Sequence, residues 1–205
     1  MIILFIGAQA SGKGTQAKII AGKKGFAHIS TGDLLRQATG ELKEKTDVYI
    51  SKGKLVPDDL ILELLKERMK RPDCKNGIIL DGFPRTLEQA ADLEKVTKID
   101  QIFEIKISDE TAKKRLTGRW NCKKCGIAYN LVTAPKPKKG KLCDNCNIPL
   151  YQREDDKNEK AIQKRLNIYH EHSEPVLKKY KDKVIKINGE QTIEKTTKDI
   201  LEKLE

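Results

Sequence analysis

An apolar run, "IILFI" (residues 2–6), passes without a break into "GAQASGKGT" (residues 7–15). A continuous apolar strand of this kind is at home where both faces of a sheet are covered. Glycines at 7, 12 and 14 let the backbone that follows curl, so that successive N–H groups point inward. A helix opening at the end of the turn adds the positive end of its dipole, and Lys13 adds a mobile charge. Residues Ala10, Ser11, Gly12, Lys13, Gly14 and Thr15 are therefore read as a phosphate cradle. The common pattern is G-x-x-x-x-G-K-[ST], whereas Gly14 here stands where a Mg²⁺-binding hydroxyl is usual and Thr15 comes one place late. Thr15 then suits a phosphate oxygen, and a metal must rely on carboxylates and water. "GIILDGFPR" offers Asp81 at the end of another apolar run. An aspartate there can simply cap the next turn; beside a phosphate loop it is also the candidate to hold Mg²⁺ through water.

Four more β-rich runs follow: "AHIS" (27–30), "GIILD" (77–81), "QIFEIKI" (101–107) and "KVIKI" (183–187). Helix-length segments separate them. "DDLILELLKERMK" opens after Pro57 and puts Leu60, Leu64 and Leu65 on one face, and "TLEQAADLEKV" and "SDETAKKRL" are further amphipathic candidates. So are the stretch from Glu159 to Tyr180 and the C-terminal "TIEKTTKDILEKLE". Alternating strands and helices predict an α/β fold with a parallel sheet covered on both faces, its ligands beyond the carboxyl ends of the strands. Between about Gly118 and Asp156 the helical period disappears and cysteine, proline, glycine and lysine dominate, which marks a small inserted subdomain.

Four of the five cysteines lie in that insertion, as Cys122-x2-Cys125 and Cys143-x2-Cys146. The spacing is that of a structural zinc site. A disulfide or an empty reduced cluster is the alternative, the former disfavoured in a reducing cytoplasm. Four sulfurs leave no open position for catalysis by the metal. The 205 residues suffice for one core plus such an insertion. No run approaches a membrane span, and "MIILFIGA" lacks the basic flank of a signal peptide, so a cytoplasmic location and no membrane partner are expected. The net charge of +11 favours anionic partners. With 5% aromatics there is little interleaving of stacking and basic side chains, so a solvated basic surface is preferred over a nucleic-acid site.

Six segments in register carry a resemblance: "GxxxxGKGT", "STGDLLR" (30–36), "GKLVPD" (53–58), "DGFPRTLEQA" (81–90), "RLTGR" (115–119) and "REDD" (153–156). In this order they resemble the adenylate kinases of the long-lid form, over nearly the whole chain. The resemblance implies a P-loop, doubly wound, five-stranded parallel sheet formed by residues 1–29, 60–117 and 157–205. It further implies an AMP-binding segment at 30–59 and a lid at 118–156, into which the four cysteines fall. It implies that Thr31, Arg36, Lys54, Leu55, Val56, Gly82, Arg85 and Gln89 line the AMP pocket, with Arg153 and Arg165 reaching it. Arg115, Arg119, Ala128, Tyr129 and Gln191 join the loop residues around ATP, and Lys13, Arg85, Arg119, Arg153 and Arg165 carry the transfer. Asp155 and Asp156 are placed to orient those arginines. Departures from the family pattern are Gln9-Ala10 in place of proline-glycine, a shorter stretch between Arg36 and Lys54, one extra residue between Asp156 and Arg165, and Asn130 where an aromatic or histidine often meets the base.

The implied activity is MgATP + AMP ⇌ 2 ADP by a monomer with Mg²⁺ and a structural Zn²⁺ and no nucleic-acid partner. Two other readings stand beside it: the same chemistry with GTP as donor or another monophosphate as acceptor, and a nucleic-acid-binding ATPase with a zinc ribbon.

Overall fold

A computed structural model describes residues 1–37, 40, 43, 44 and 56–204. The five apolar runs pair as one parallel sheet. Its strands are β1 (Ile2–Ile6), β2 (Ala27–Ser30), β3 (Ile78–Asp81), β4 (Gln101–Lys106) and, late in the chain, β8 (Val184–Asn188), in the order β2-β3-β1-β4-β8. Strand β1 is central: Ile3 pairs with Ile79 on one side and Gln101 on the other. Because side chains alternate across a strand, β1 feeds two cores. Leu4 and Ile6 join Ile29, Ile78, Leu80 and Ile102 on one face, whereas Ile3 and Phe5 meet Ile79, Phe103, Ile105 and Ile187 on the other.

The second face is covered by α1 (Lys13–Lys24), through Ala17, Ile20 and Ala21, and by α8 (Ile193–Lys203), through Ile200. The first face carries α3 (Asp58–Met69), α4 (Leu87–Glu94), α5 (Asp109–Thr117), α6 (Glu159–Ile168) and α7 (Glu174–Lys179). A short helix, α2 (Thr31–Gln37), follows β2 directly. Of the three leucines expected on one face of α3, Leu64 and Leu65 are buried and Leu60 only half-buried, Ile61 and Leu62 completing the packing instead. Helix starts follow local chemistry: Thr86, Ser108, Asn158 and Thr192 each accept a backbone N–H of the first turn.

The stretch from Glu159 to Tyr180 is helical but not uniformly so. A π-helical turn, Tyr169–Ser173, joins α6 to α7, and Glu174 N–H donates to the Tyr169 carbonyl five residues back. Pro175, in the first turn of α7, brings no N–H to the ladder, and the break in the α-helical pattern falls at this point.

Residues 118–156 form a second, antiparallel sheet of β5 (Arg119–Cys122), β6 (Ala128–Asn130) and β7 (Leu150–Tyr151), ordered β6-β5-β7. Its own core consists of Cys122, Tyr129, Cys143 and Leu150. Half of that core is cysteine, too little apolar surface to order the segment by burial alone. No described helix is long and apolar enough to cross a membrane.

Candidate active site

The loops after β1 and β3, neighbouring strands, leave the sheet side by side at its carboxyl end. Gly12 takes φ 98°, a left-handed conformation that turns the chain into α1. Gly14 has a different reason to be glycine. A Cβ there would stand 2.9 Å from Asp81 Oδ2, so the carboxylate occupies the space a side chain would need. The missing hydroxyl and the strand-end carboxylate are two parts of one arrangement.

Ala10 is the unusual member of the loop, with φ 60° in the left-handed region. This conformation costs an L-residue about 1–2 kcal/mol. Ala10→Gly should therefore raise stability by roughly 0.5–1 kcal/mol after the extra chain entropy of glycine is counted. Ala10→Val should lower it by about 1 kcal/mol or more. Urea unfolding of both variants checks this; a loss of stability in Ala10→Gly would contradict it. The Ala10 and Ser11 carbonyls each accept from Arg115 Nη1 at 3.3 Å, and Gly189 O accepts from Arg115 Nη2 at 2.9 Å. Arg115 thus ties the phosphate loop to the turn after β8. Among the described residues the buried Ser11 hydroxyl has no hydrogen-bond partner.

Lys13 Nζ donates to the Ala8 carbonyl at 3.1 Å, lying back over the loop. Enclosure in the cleft lowers its pKa from 10.5 to about 8; Asp81 opposes the shift, while Arg85, Arg119 and Arg165 add to it. Asp81 shows the converse balance. Burial pushes its carboxyl up, but His28, Lys13 and Arg85 hold it below the usual carboxylate range. His28 Nε2 lies 3.5 Å from Asp81 Oδ2, a neighbour no motif announced. It arises because β2 and β3 pair in register, with Ser30 opposite Asp81.

The arginines converge through one carboxylate. Asp156, whose side chain is fully buried, accepts from Arg119 Nε and Nη2 at 2.7 Å each and from Arg165 Nη1 at 2.8 Å. Asp155 adds a second oxygen 2.9 Å from Arg165 Nη1. Arg165 thus shares its carboxylate with Arg119. Arg153 opens the one-turn helix Glu154–Asp156 and is half-buried. Arg85 is exposed at the cleft; enclosure by the cleft walls and the charge of Arg165 lower its pKa against the pull of Asp81.

On the β2–β3 side, Thr31 is buried and its hydroxyl donates to Gly82 O at 3.2 Å. Gly82 takes φ 82°, and a Cβ there would lie 3.3 Å from both Thr31 Oγ1 and Arg85 Nη2. Gln89 Oε1 accepts from Arg85 N at 2.7 Å, and Gln89 Nε2 donates to Asp58 Oδ1 at 2.7 Å. Asp58, read from sequence as part of a helix start and as the end of the GKLVPD segment, thus aims Gln89. Val56 is buried. Arg36 lies in α2 with its side chain outside the description, and Lys54 and Leu55 lie outside the described residues.

The residues expected at the ATP base are more scattered. Tyr129 is buried in the small sheet with its hydroxyl 3.6 Å from Cys143 Sγ, and Ala128 is exposed beside it. Gln191 Nε2 donates to Asp199 Oδ2 on α8 at 2.5 Å. Asn130 is buried and structural: it donates to Arg115 O at 2.8 Å and accepts from Val132 N and Thr133 N.

All four insertion cysteines come together, their sulfurs within 4.8 Å of one another and none in a disulfide. Tetrahedral Zn–S bonds of about 2.3 Å place sulfurs about 3.8 Å apart, so the cluster fits a zinc ion. The charges fit too. Burial opposes ionisation of Cys143, but the N–H groups of Cys146 and Asn145 and the Tyr129 hydroxyl bring its thiol down to about 6. Cys146 is pushed up to about 12 by burial and by the crowded sulfurs of Cys125 and Cys122. A bound cation would let such a set ionise together. Cys74 stands apart, buried beside Arg68, which donates to its sulfur at 3.1 Å.

The family model described as adenylate kinase matches residues 5–185. The chain is 44% identical to the adenylate kinase of Caldicellulosiruptor saccharolyticus, over 100% of this chain and 99% of the relative. It is 44% identical to that of Acetivibrio thermocellus, over 100% and 98%, and 42% identical to that of Archaeoglobus fulgidus, over 98% and 96%.

Proposed function

The chain belongs to the adenylate kinase family, and from that premise we propose that it transfers the terminal phosphoryl group of MgATP to AMP, giving two ADP. The observation that carries this reading at the level of the site is that Asp156 holds Arg119 and Arg165 together while Asp81 stands against Gly14 of the phosphate loop, with Lys13 in electrostatic reach of both groups. In the transfer, an oxygen of the AMP phosphate forms a bond to the γ-phosphorus as the bond to the β-bridging oxygen breaks. No protein nucleophile is needed; charge spread over the transferring group is what must be stabilised. Arg119 and Arg165, fixed by Asp156, and Arg153 close over that group, while Lys13 reaches its outer oxygens. Mg²⁺ when bound neutralises phosphate charge, and Asp81 would hold it through water.

The N–H groups of residues 10–15 cradle the inner phosphates, with Thr15 on one oxygen, and Arg115, Ala128, Gln191 and the backbone of Tyr129, whose ring packs in the small sheet, surround the ATP base. Thr31, Arg36, the 54–56 segment, Gly82, Arg85 and Gln89 form the AMP pocket. Gln89 keeps a second N–H and a second lone pair for adenine after its bonds to Asp58 and Arg85. Residues 118–156 act as a lid whose fold is held by structural Zn²⁺ on Cys122, Cys125, Cys143 and Cys146, residues 30–59 as the AMP-binding segment, and the remainder as the core. We read the protein as a monomer of the cytoplasm that engages neither nucleic acid nor membrane.

Purified protein with MgATP and AMP should form ADP only when both nucleotides are present. ADP formation from ATP alone, or turnover requiring RNA or DNA, would overturn the reading; a panel of monophosphates and GTP fixes the bases. A second expectation follows from Lys13. With a folded pKa of about 8 against an ordinary 10.5, Lys13 is uncharged between these values in the free protein and charged in the unfolded chain. Its contribution to stability therefore rises with pH across that window. Bound phosphate restores the charge, so MgATP binding at pH ~9 should take up most of one proton. Little uptake from this group should remain at pH ~7. Calorimetry in buffers of different ionisation enthalpy measures this, and equal proton uptake at both pH values would contradict it.

A further inference from the structure

Arg85 lies in the irregular segment between β3 and α4, where neither ladder nor helix fixes it. Hydrogen bonds do so instead. Its N–H donates to Gln89 Oε1 at 2.7 Å and its Nε to Gly82 O at 2.8 Å, both within the same local stretch. The third bond comes from across the fold: Ser173 Oγ donates to the Arg85 carbonyl at 3.2 Å. Ser173 is 8% exposed and ends the π-helical turn between α6 and α7. That same continuous helical stretch carries Arg165 on α6.

We propose that Ser173 is a positioning residue for the acceptor phosphate: its hydroxyl anchors the backbone of Arg85 to the helix that bears Arg165, fixing the spacing of the two guanidinium groups. The proposal rests on reading Arg85 as an AMP-phosphate ligand. The physical need is plain. Two like charges facing one cleft repel when no phosphate lies between them, and the 82–86 segment has little regular structure to resist. An anchor to the Arg165 helix sets the distance before the ligand arrives, so less ordering is left for binding. The π turn matters because it rotates Ser173 relative to an uninterrupted α-helix.

Ser173→Ala, Ser173→Thr and Arg85→Lys, assayed with each nucleotide varied in turn, test this. Ser173→Ala should raise KM for AMP about three- to fivefold, the effect of one hydrogen bond, and leave KM for ATP unchanged. Ser173→Thr, which keeps the hydroxyl, should restore the wild-type value. A general loss of stability would move both KM values or kcat without this asymmetry, and thermal unfolding of each variant measures that loss separately. Unchanged KM for AMP in Ser173→Ala, an equal shift for ATP, or no rescue by threonine overturns the proposal. Arg85→Lys separates the two levels, because it loses the bidentate grip and should raise KM for AMP at least about tenfold. If it does and Ser173→Ala does not, only the role of Ser173 falls; if it does not, the reading of Arg85 falls and the proposal with it.

Discussion

Asp156→Asn should lower kcat by about a hundredfold, on the scale of losing a preorganised transition-state donor. It should also lower the unfolding free energy by about 3 kcal/mol, the lower end for a broken buried ion pair. The Asp156 side chain is fully buried and serves three N–H donors from two arginines. Asparagine keeps the shape but removes the charge and turns one acceptor oxygen into a donor facing a guanidinium. Arg119 and Arg165 would then have to find water or other partners, and they would leave the geometry in which they meet a transferring phosphoryl group. For a chain of this size the stability loss corresponds to a fall in Tm of about 6–12 °C. Steady-state kinetics and thermal unfolding measure the two effects. If Asp156→Asn retains both kcat and Tm, the arginines are not held by this carboxylate in any way that matters.

Cys143→Ser should have the second large effect, through the lid. The small sheet owns a core of four buried residues, two of them cysteines, so on the proposed zinc reading removing a ligand removes much of what orders it. Protein purified without chelator should carry about one zinc per chain, and Cys143→Ser far less. Phosphoryl transfer should fall by about a hundredfold or more, because a disordered lid cannot bring Arg119 and Arg153 over the cleft or exclude water. The main sheet should survive, since neither of its two cores includes a lid residue. Metal analysis, far-UV circular dichroism and hydrogen exchange of residues 118–156 test this together. Full activity and unchanged lid protection after metal loss would show that the cysteines pack well enough by themselves.

The sheet was legible because its signals are local. The central strands β1, β3 and β4 are apolar runs buried on both faces, and four helices start at a side chain that caps them. Strand ends differ from the sequence reading by one residue at β3, β4 and β8, where the ladder rather than hydrophobicity sets the limit. The π-helical turn was not foreseen. Its period differs from an α-helix only locally, and Pro175 in a helical pattern signals a break without saying which kind.

In the site, the glycines, Lys13 and the four cysteines could be found from spacing alone, since a phosphate cradle and a tetrahedral sulfur site each depend on residues close in the chain. The partners that aim the functional groups could not. His28 beside Asp81, Asp58 on Gln89 and Ser173 on Arg85 are contacts across strands and helices that no short motif encodes. Asn130 and Tyr129 show the same limit from the other side: position in the sequence points to a nucleotide, whereas packing turns their side chains to Arg115 and to the cysteine cluster.

By itself, then, the sequence determined the fold class, the phosphate loop and the sulfur cluster, because periodicity, glycine conformation and close ligand spacing are properties of neighbouring residues. Only the tertiary structure decided why Gly14 must lack a side chain, which carboxylate gathers Arg119 and Arg165, and what pins Arg85. Those are distances between elements far apart in the chain, set when both faces of the sheet are packed.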